Sequence, residues 1–203
     1  MKIGEIKIEA LKLMFASYDW DYNTNQLGLL KESEQFKDYL INMPGSINRC
    51  FAVLENKGAL PLGFHKVNGS TDTADGVSVD MDTEKFLDVE RVSYQGKYGD
   101  RHPSFPYIRD GNVIYLEGIF QGDSYTIYYR PRISRAWTDD TELSALGVPD
   151  RIAALIPYFI KGDLFREEDA AEASNARAWF EGAMDELNKN TLNYGGVQTV
   201  YGM

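Results

Sequence analysis

The chain has 203 residues, 43% of them hydrophobic and 26% charged, which is the composition of a globular protein long enough to bury a substantial core. Its formal net charge is −10, which argues against a general nucleic-acid binder presenting a basic stripe. There is one cysteine, Cys50, so no intrachain disulfide can form, and no apolar run approaches the ~20 residues a membrane helix needs.

Taken in order, residues 1–17 carry a helical pattern. Ile3, Ile6, Ala10, Leu13 and Met14 recur at spacings of three or four, with Glu5, Lys7, Glu9 and Lys12 on the other faces. Lysines and glutamates interrupt this stretch too often for a signal peptide, so a cytoplasm-like compartment is expected. A polar-aromatic loop, Tyr18-Asp19-Trp20-Asp21-Tyr22-Asn23, follows; it packs onto its own domain or a neighbour, or stacks on a sugar or base. From about Glu32, Phe36, Leu40, Met43, Ile47, Cys50 and Leu54 form an apolar seam that ends at Lys57-Gly58. Pro44 and Gly45 interrupt it, giving either two helices, about 32–43 and 45–56, or one bent helix. Cys50 lies on the seam as a small buried core residue.

From residue 60 to about 132 the period changes to that of strands. Apolar alternation at 77–81, 86–92 and 107–108, punctuated by Gly and Asp, predicts five or six short, mostly antiparallel strands in a small sandwich or barrel-like sheet. Residues 109–112 (Arg-Asp-Gly-Asn) read as a turn. Residues 113–120 and 124–130 read as a hairpin joined by Gln121-Gly122-Asp123. The sequence then crosses a polar linker and closes with two helices. The first opens at Pro149 with Ile152, Leu155, Ile156, Phe159 and Ile160 at helical spacing. Pro157 within it marks either a kink or a helix that ends and restarts. The second runs from about Glu167 with Ala173, Ala176, Trp179, Phe180, Ala183, Met184 and Leu187 on or near one stripe. The pattern dissolves after Lys189.

The expected fold class is therefore α+β, a helical bundle of N- and C-terminal helices with an inserted small antiparallel β-domain and an extended C-terminal tail. The expected boundaries are 1–59 for the N-terminal helices, 60–133 for the β-domain, 134–189 for the C-terminal helical hairpin and 190–203 for the tail.

Catalytic signatures are missing from the sequence. His65 and His102 stand far apart, with no cysteine or second histidine near either, which gives zinc little support. The aspartates at 72, 75, 80 and 82 depart from the calcium-loop pattern, since Ala74 stands at a ligand spacing, and a solvated loop is expected. Gly96-Lys97-Tyr98-Gly99 lacks the leading glycine and the Ser or Thr of a phosphate loop, and no serine has a nucleophile elbow around it. Acidic residues are too numerous for any pair to single out a glycosidase site. No catalysis, no cofactor and no metal are expected.

A hairpin ending in YYRPR, a TDDTEL linker, VPD opening an apolar helix and an Ala/Glu-rich helix together resemble the adaptor, or neck, proteins of tailed bacteriophages. These are the head–tail connector (head-completion) subunits that form a ring beneath the portal. The resemblance covers about the last ninety residues best and the N-terminal helices loosely. It implies a virion structural protein at the portal vertex, assembled in the host cytoplasm. Its expected partners are itself (a ring of twelve), the portal protein and the next neck or tail protein, with DNA passing through the channel without sequence-specific binding and no membrane. An acidic channel wall would repel phosphates, although an acidic surface also serves solubility. Candidate oligomer or portal contacts are Arg130, Arg132 and Arg135, the one local basic cluster, and Tyr194, Val197, Val200 and Tyr201 in the tail. The arginines meet an acidic neighbouring subunit or pair internally with Asp139, Asp140 or Glu142. The tail adds a strand to another chain or frays. Trp137 is expected to wedge between sheet and bundle. The alternative function is a β-domain binding module, for instance for carbohydrate, motivated by the aromatics at 18–22 and 125–129.

Overall fold

A computed structural model of the protein describes residues 1–17, 27–70, 72 and 75–194, with side chains to residue 187. The class is α+β, and the chain divides into two compact units, Met1–Ala59 with Ser134–Met203, and Leu60–Ile133.

The discontinuous unit is helical: α1 (Ile3–Met14), α2 (Leu27–Glu32), α3 (Lys37–Asn56), α4 (Asp150–Ala153), α5 (Ile156–Leu164) and α6 (Ala170–Tyr194). Helix α5 is its centre and packs against α1, α3 and α6. Its Ile156, Pro157, Phe159, Ile160 and Gly162 are all buried. Gly162 permits the closest approach to α6, because a Cβ there would stand 3.0 Å from the Arg177 Cβ and 3.1 Å from the Ala173 carbonyl oxygen. Phe159 and Phe180 meet edge to face beside it, centroids 5.2 Å apart.

Both proline ambiguities resolve. Pro44 lies inside one continuous helix, α3. Leu40, Met43, Ile47, Cys50, Phe51 and Leu54 are buried on both sides of it. Each such side chain contributes about 1.5–3 kcal/mol, which together outweighs the ~3 kcal/mol disruption by one internal proline. The helix begins at Lys37 rather than Glu32, because Ser33 closes a turn first by accepting from the Phe36 and Lys37 N–H groups. Pro157, by contrast, stands in the first turn of a restarted helix: α4 ends at Ala153 and α5 begins at Ile156. Helix α6 starts at Ala170 rather than Glu167 and continues to Tyr194, so residues 190–194 are helical rather than extended. Trp179 leaves the expected α6 stripe; it is 48% exposed and packs on Tyr158. In α1, Leu11 is fully buried where the spacing singled out Leu13.

Among the described residues the second unit holds seven strands in two antiparallel sheets, where about five or six were expected. They are β1 (Gly63–Asn68), β2 (Val77–Asp80), β3 (Phe86–Gln95), β4 (Arg101–His102), β5 (Ile108–Asp110), β6 (Val113–Leu116) and β7 (Ser124–Pro131). One sheet has the order β1-β7-β3-β4, the other β2-β6-β5. Both contribute to one core that includes Val79, Phe86, Val92, Ile114, Tyr125 and Ile127.

The expected hairpin of residues 113–120 with 124–130 does not form. Strand β6 pairs with β2 and β5, whereas β7 pairs with β1 and β3. Strand β6 stops at Leu116, and residues 117–123 turn a corner between the sheets. Asp123 fixes that corner: its carboxylate accepts from the Lys97 N–H at 2.8 Å, and its carbonyl accepts from the Gly69 N–H at 2.8 Å. Gly69 lies so close that a Cβ would fall 1.8 Å from the Phe120 carbonyl oxygen. A tight hairpin does form at the turn read at 109–112, where Gly111 (φ +57°) joins β5 to β6.

Candidate interaction surfaces

The polar linker does the first piece of positioning, inside the helical unit. Thr138 and Thr141 close a small turn, with the Thr138 N–H donating to Thr141 Oγ1 at 2.8 Å. The turn aims two carbonyls at the start of α1. Thr141 accepts from the Ile3 N–H at 3.0 Å and Asp139 from the Gly4 N–H at 2.8 Å, satisfying donors that a helix start leaves without partners. The Asp139 carboxylate then accepts from Lys7 Nζ at 2.5 Å and Lys31 Nζ at 3.0 Å, joining α1 and α2. Burial pushes the Asp139 carboxyl up, but the two lysine hydrogen bonds outweigh it and hold the group below the usual carboxylate range. Lys7 is only 5% exposed, which corrects its assignment to an outer face. Its ammonium also stands 5.4 Å from the Trp137 ring centre, and Trp137 Nε1 donates to Asn48 of α3 at 3.1 Å.

The arginines have intrachain partners, though not the ones expected. Arg130 pairs with Glu90 of β3, Arg132 with Asp82 at 2.8 Å, and Arg135 with Glu55 at 2.7 Å. Asp139 is held by lysines, Asp140 faces Lys2, and Glu142 faces the Met1 amine. Arg130 and Arg132 belong to the β unit and Arg135 to the helical unit. Tyr194 closes α6, while Val197, Val200 and Tyr201 lie outside the described residues, as do the aromatics at 18–22.

Chemistry-bearing residues elsewhere have structural partners. His65 Nδ1 lies 3.1 Å from Glu84, with its ring against Phe86. His102 is exposed in β4 rather than in a loop. Asp80 accepts from the Asp82 N–H and the Thr83 hydroxyl, and these bonds hold its carboxyl low. Asp82 serves Arg132 and Asn112. Among the described residues no three His, Cys, Asp or Glu side chains gather to hold a metal ion. Also among them, no helix is long and apolar enough to cross a membrane. Cys50 is fully buried, and burial pushes its thiol far above the ordinary value. In the 125–129 segment, Tyr125 is 1% exposed and Tyr129 stacks on Phe86 at 3.8 Å, so only Tyr128 is left on the outer side of the sheet.

Two surfaces stand out by charge, and neither was singled out from the sequence. On the outer face of the β1-β7-β3-β4 sheet, Arg91, Arg101 and His102 line a shallow groove of about 310 Å³ with Ser93, Gln95 and Tyr128, and no carboxylate lines it. Register places Lys66 opposite Thr126 at its side. The Arg91 guanidinium lies over the Tyr128 ring at 4.2 Å. In the helical unit, Glu34, Asp38, Glu167 and Glu168 line a groove of about 340 Å³ containing no lysine or arginine. Tyr39 lies on its wall, and burial together with a hydrogen bond to Glu168 pushes the phenol up to about 12. Strand alternation was the available signal for the first, since Arg91, Ser93 and Gln95 share a face; the second joins residues more than a hundred positions apart.

No protein-family model matches the chain, and no curated protein matches it.

Proposed function

We propose that this protein is a structural subunit of a tailed-bacteriophage neck: one of a ring of copies beneath the portal that joins capsid to tail and surrounds the DNA channel. The supporting observation is a helical unit whose two chain segments are tied together through the linker the resemblance rests on. Asp139 and Thr141 cap α1, and Asp139 holds Lys7 and Lys31, which ties the two segments of the unit together. Its architecture is a bundle of N- and C-terminal helices with the β unit inserted between them. The work is geometric and uses no cofactor. One side meets the portal, the other receives the next neck or tail protein, and an acidic wall lets DNA slide. The carbohydrate-module reading has less support, because Tyr125 and Tyr129 face the core of the β unit.

The test is electron microscopy of the protein mixed with the portal protein encoded near it. Ring-shaped density of twelve-fold symmetry added to one end of the portal is expected. Portal particles that stay bare, together with binding on a glycan array, would replace this reading with the carbohydrate module.

A further inference from the structure

We infer that the basic face of the β1-β7-β3-β4 sheet in one copy docks the acidic groove of a second copy, a head-to-tail contact that deepens and rests on the ring reading above. In a chain of net charge −10, Lys66, Arg91 and Arg101 share the outer sheet face, and none of them has an ion-pair partner among the described residues. The chain's other exposed arginines in this unit are occupied: Arg109 by Asp88 at 2.6 Å, Arg130 by Glu90, Arg132 by Asp82. Glu34, Asp38, Glu167 and Glu168 converge on one concavity with no cation lining it and no ion pair among the described residues. Lys37 and Arg166 are near in sequence, but Arg166 donates to the Gly162 carbonyl and neither lines the groove.

A sheet face is firm, and stacking on Tyr128 holds the Arg91 guanidinium in place before any partner arrives, which lowers the ordering cost of association. Arginine forks suit carboxylates in particular. Two different patches that complement each other make a heterologous contact, and heterologous contacts close into rings when the rotation permits. A nucleic acid would also answer to arginines, but the chain's overall charge repels a polyanion at long range. A second copy brings its carboxylates on a ring partner held at high local concentration.

Charge reversal tests this, read by native mass spectrometry and sedimentation with the portal protein present. Arg91→Glu with Arg101→Glu, or Asp38→Lys with Glu167→Lys, should each weaken self-association by about 100-fold, since like charges placed together cost several kcal/mol. All four changed residues are exposed, so circular dichroism should show an unchanged fold. A chain carrying both reversals should assemble again. Mixing the two single-surface variants should likewise restore assembly, with the variants alternating, because each variant's face complements the other's groove while neither complements its own. If the wild type forms rings and both variants form them equally well, the contact is wrong while the ring reading stands. If wild-type rings persist in the variants but a DNA affinity is lost with the arginines, the face belongs to nucleic acid and the inference is overturned. If the wild type stays monomeric with portal present, the ring reading itself fails, and this contact with it.

Discussion

Lys7 and Asp139 show how a single pair can organise a unit. The ammonium is almost wholly enclosed, while the carboxylate side chain is 31% exposed. Replacing Asp139 with alanine leaves Lys7 charged and without its carboxylate, and should cost about 2–3 kcal/mol in urea unfolding, below the range for a fully buried pair because water reaches this one. Lys7→Met should cost less than about 1 kcal/mol, since it removes the enclosed charge and leaves Asp139 paired with Lys31. The pH dependence follows from the lowered Asp139 carboxyl. Its contribution is full above the ordinary value of 3.8 and is lost as pH falls through the lower folded value. The stability gap between wild type and Asp139→Ala should therefore be constant near neutrality and shrink in the acid limb. Cys50 gives a second check at this scale: burial keeps it as an unreactive thiol, and a thiol reagent should label it only at the rate of unfolding. Its burial was legible from the apolar seam. The Lys7–Asp139 pair was not, because periodicity places a lysine on a helix face without saying which residue, here 132 positions further on, comes against it.

At the scale of elements, local patterns gave the helices and most strands, and failed where the partner is distant. The helices at 3–14 and 37–56 follow their apolar spacing. Residues 113–120 and 124–130 alternate like a hairpin, yet β6 and β7 lie in different sheets. The deciding features are the Asp123 corner and the close approach of Gly69, neither of which alternation reveals. Gly69→Ala should accordingly destabilise the β unit by about 3 kcal/mol or more, because the obstacle is backbone, and thermal melting would measure it. Pro44→Ala should stabilise α3 by about 1 kcal/mol, since the restored N–H can donate within a helix that is already continuous. Strand β1 carries no clear alternation in sequence because its outward residues include Phe64, 74% exposed, which blurs the two-residue period.

For the whole molecule, the sequence conveys overall acidity but not its arrangement. The basic sheet face and the acidic groove exist only once strands and helices are assembled, and three arginines close in sequence turn out to serve three separate carboxylates. Exposed charge on both surfaces means that any assembly built on them should weaken as salt rises from about 0.1 to 1 M, as the screening length shortens from roughly 10 to 3 Å. The central claim is that copies of this protein form a ring. Native mass spectrometry of the purified protein, alone and with portal protein, addresses it most directly. The expected result is a closed species of roughly 276 kDa, twelve times the 23.0 kDa chain, in at least one of the two samples. A 23.0 kDa monomer at every concentration, unaffected by portal, would contradict the account.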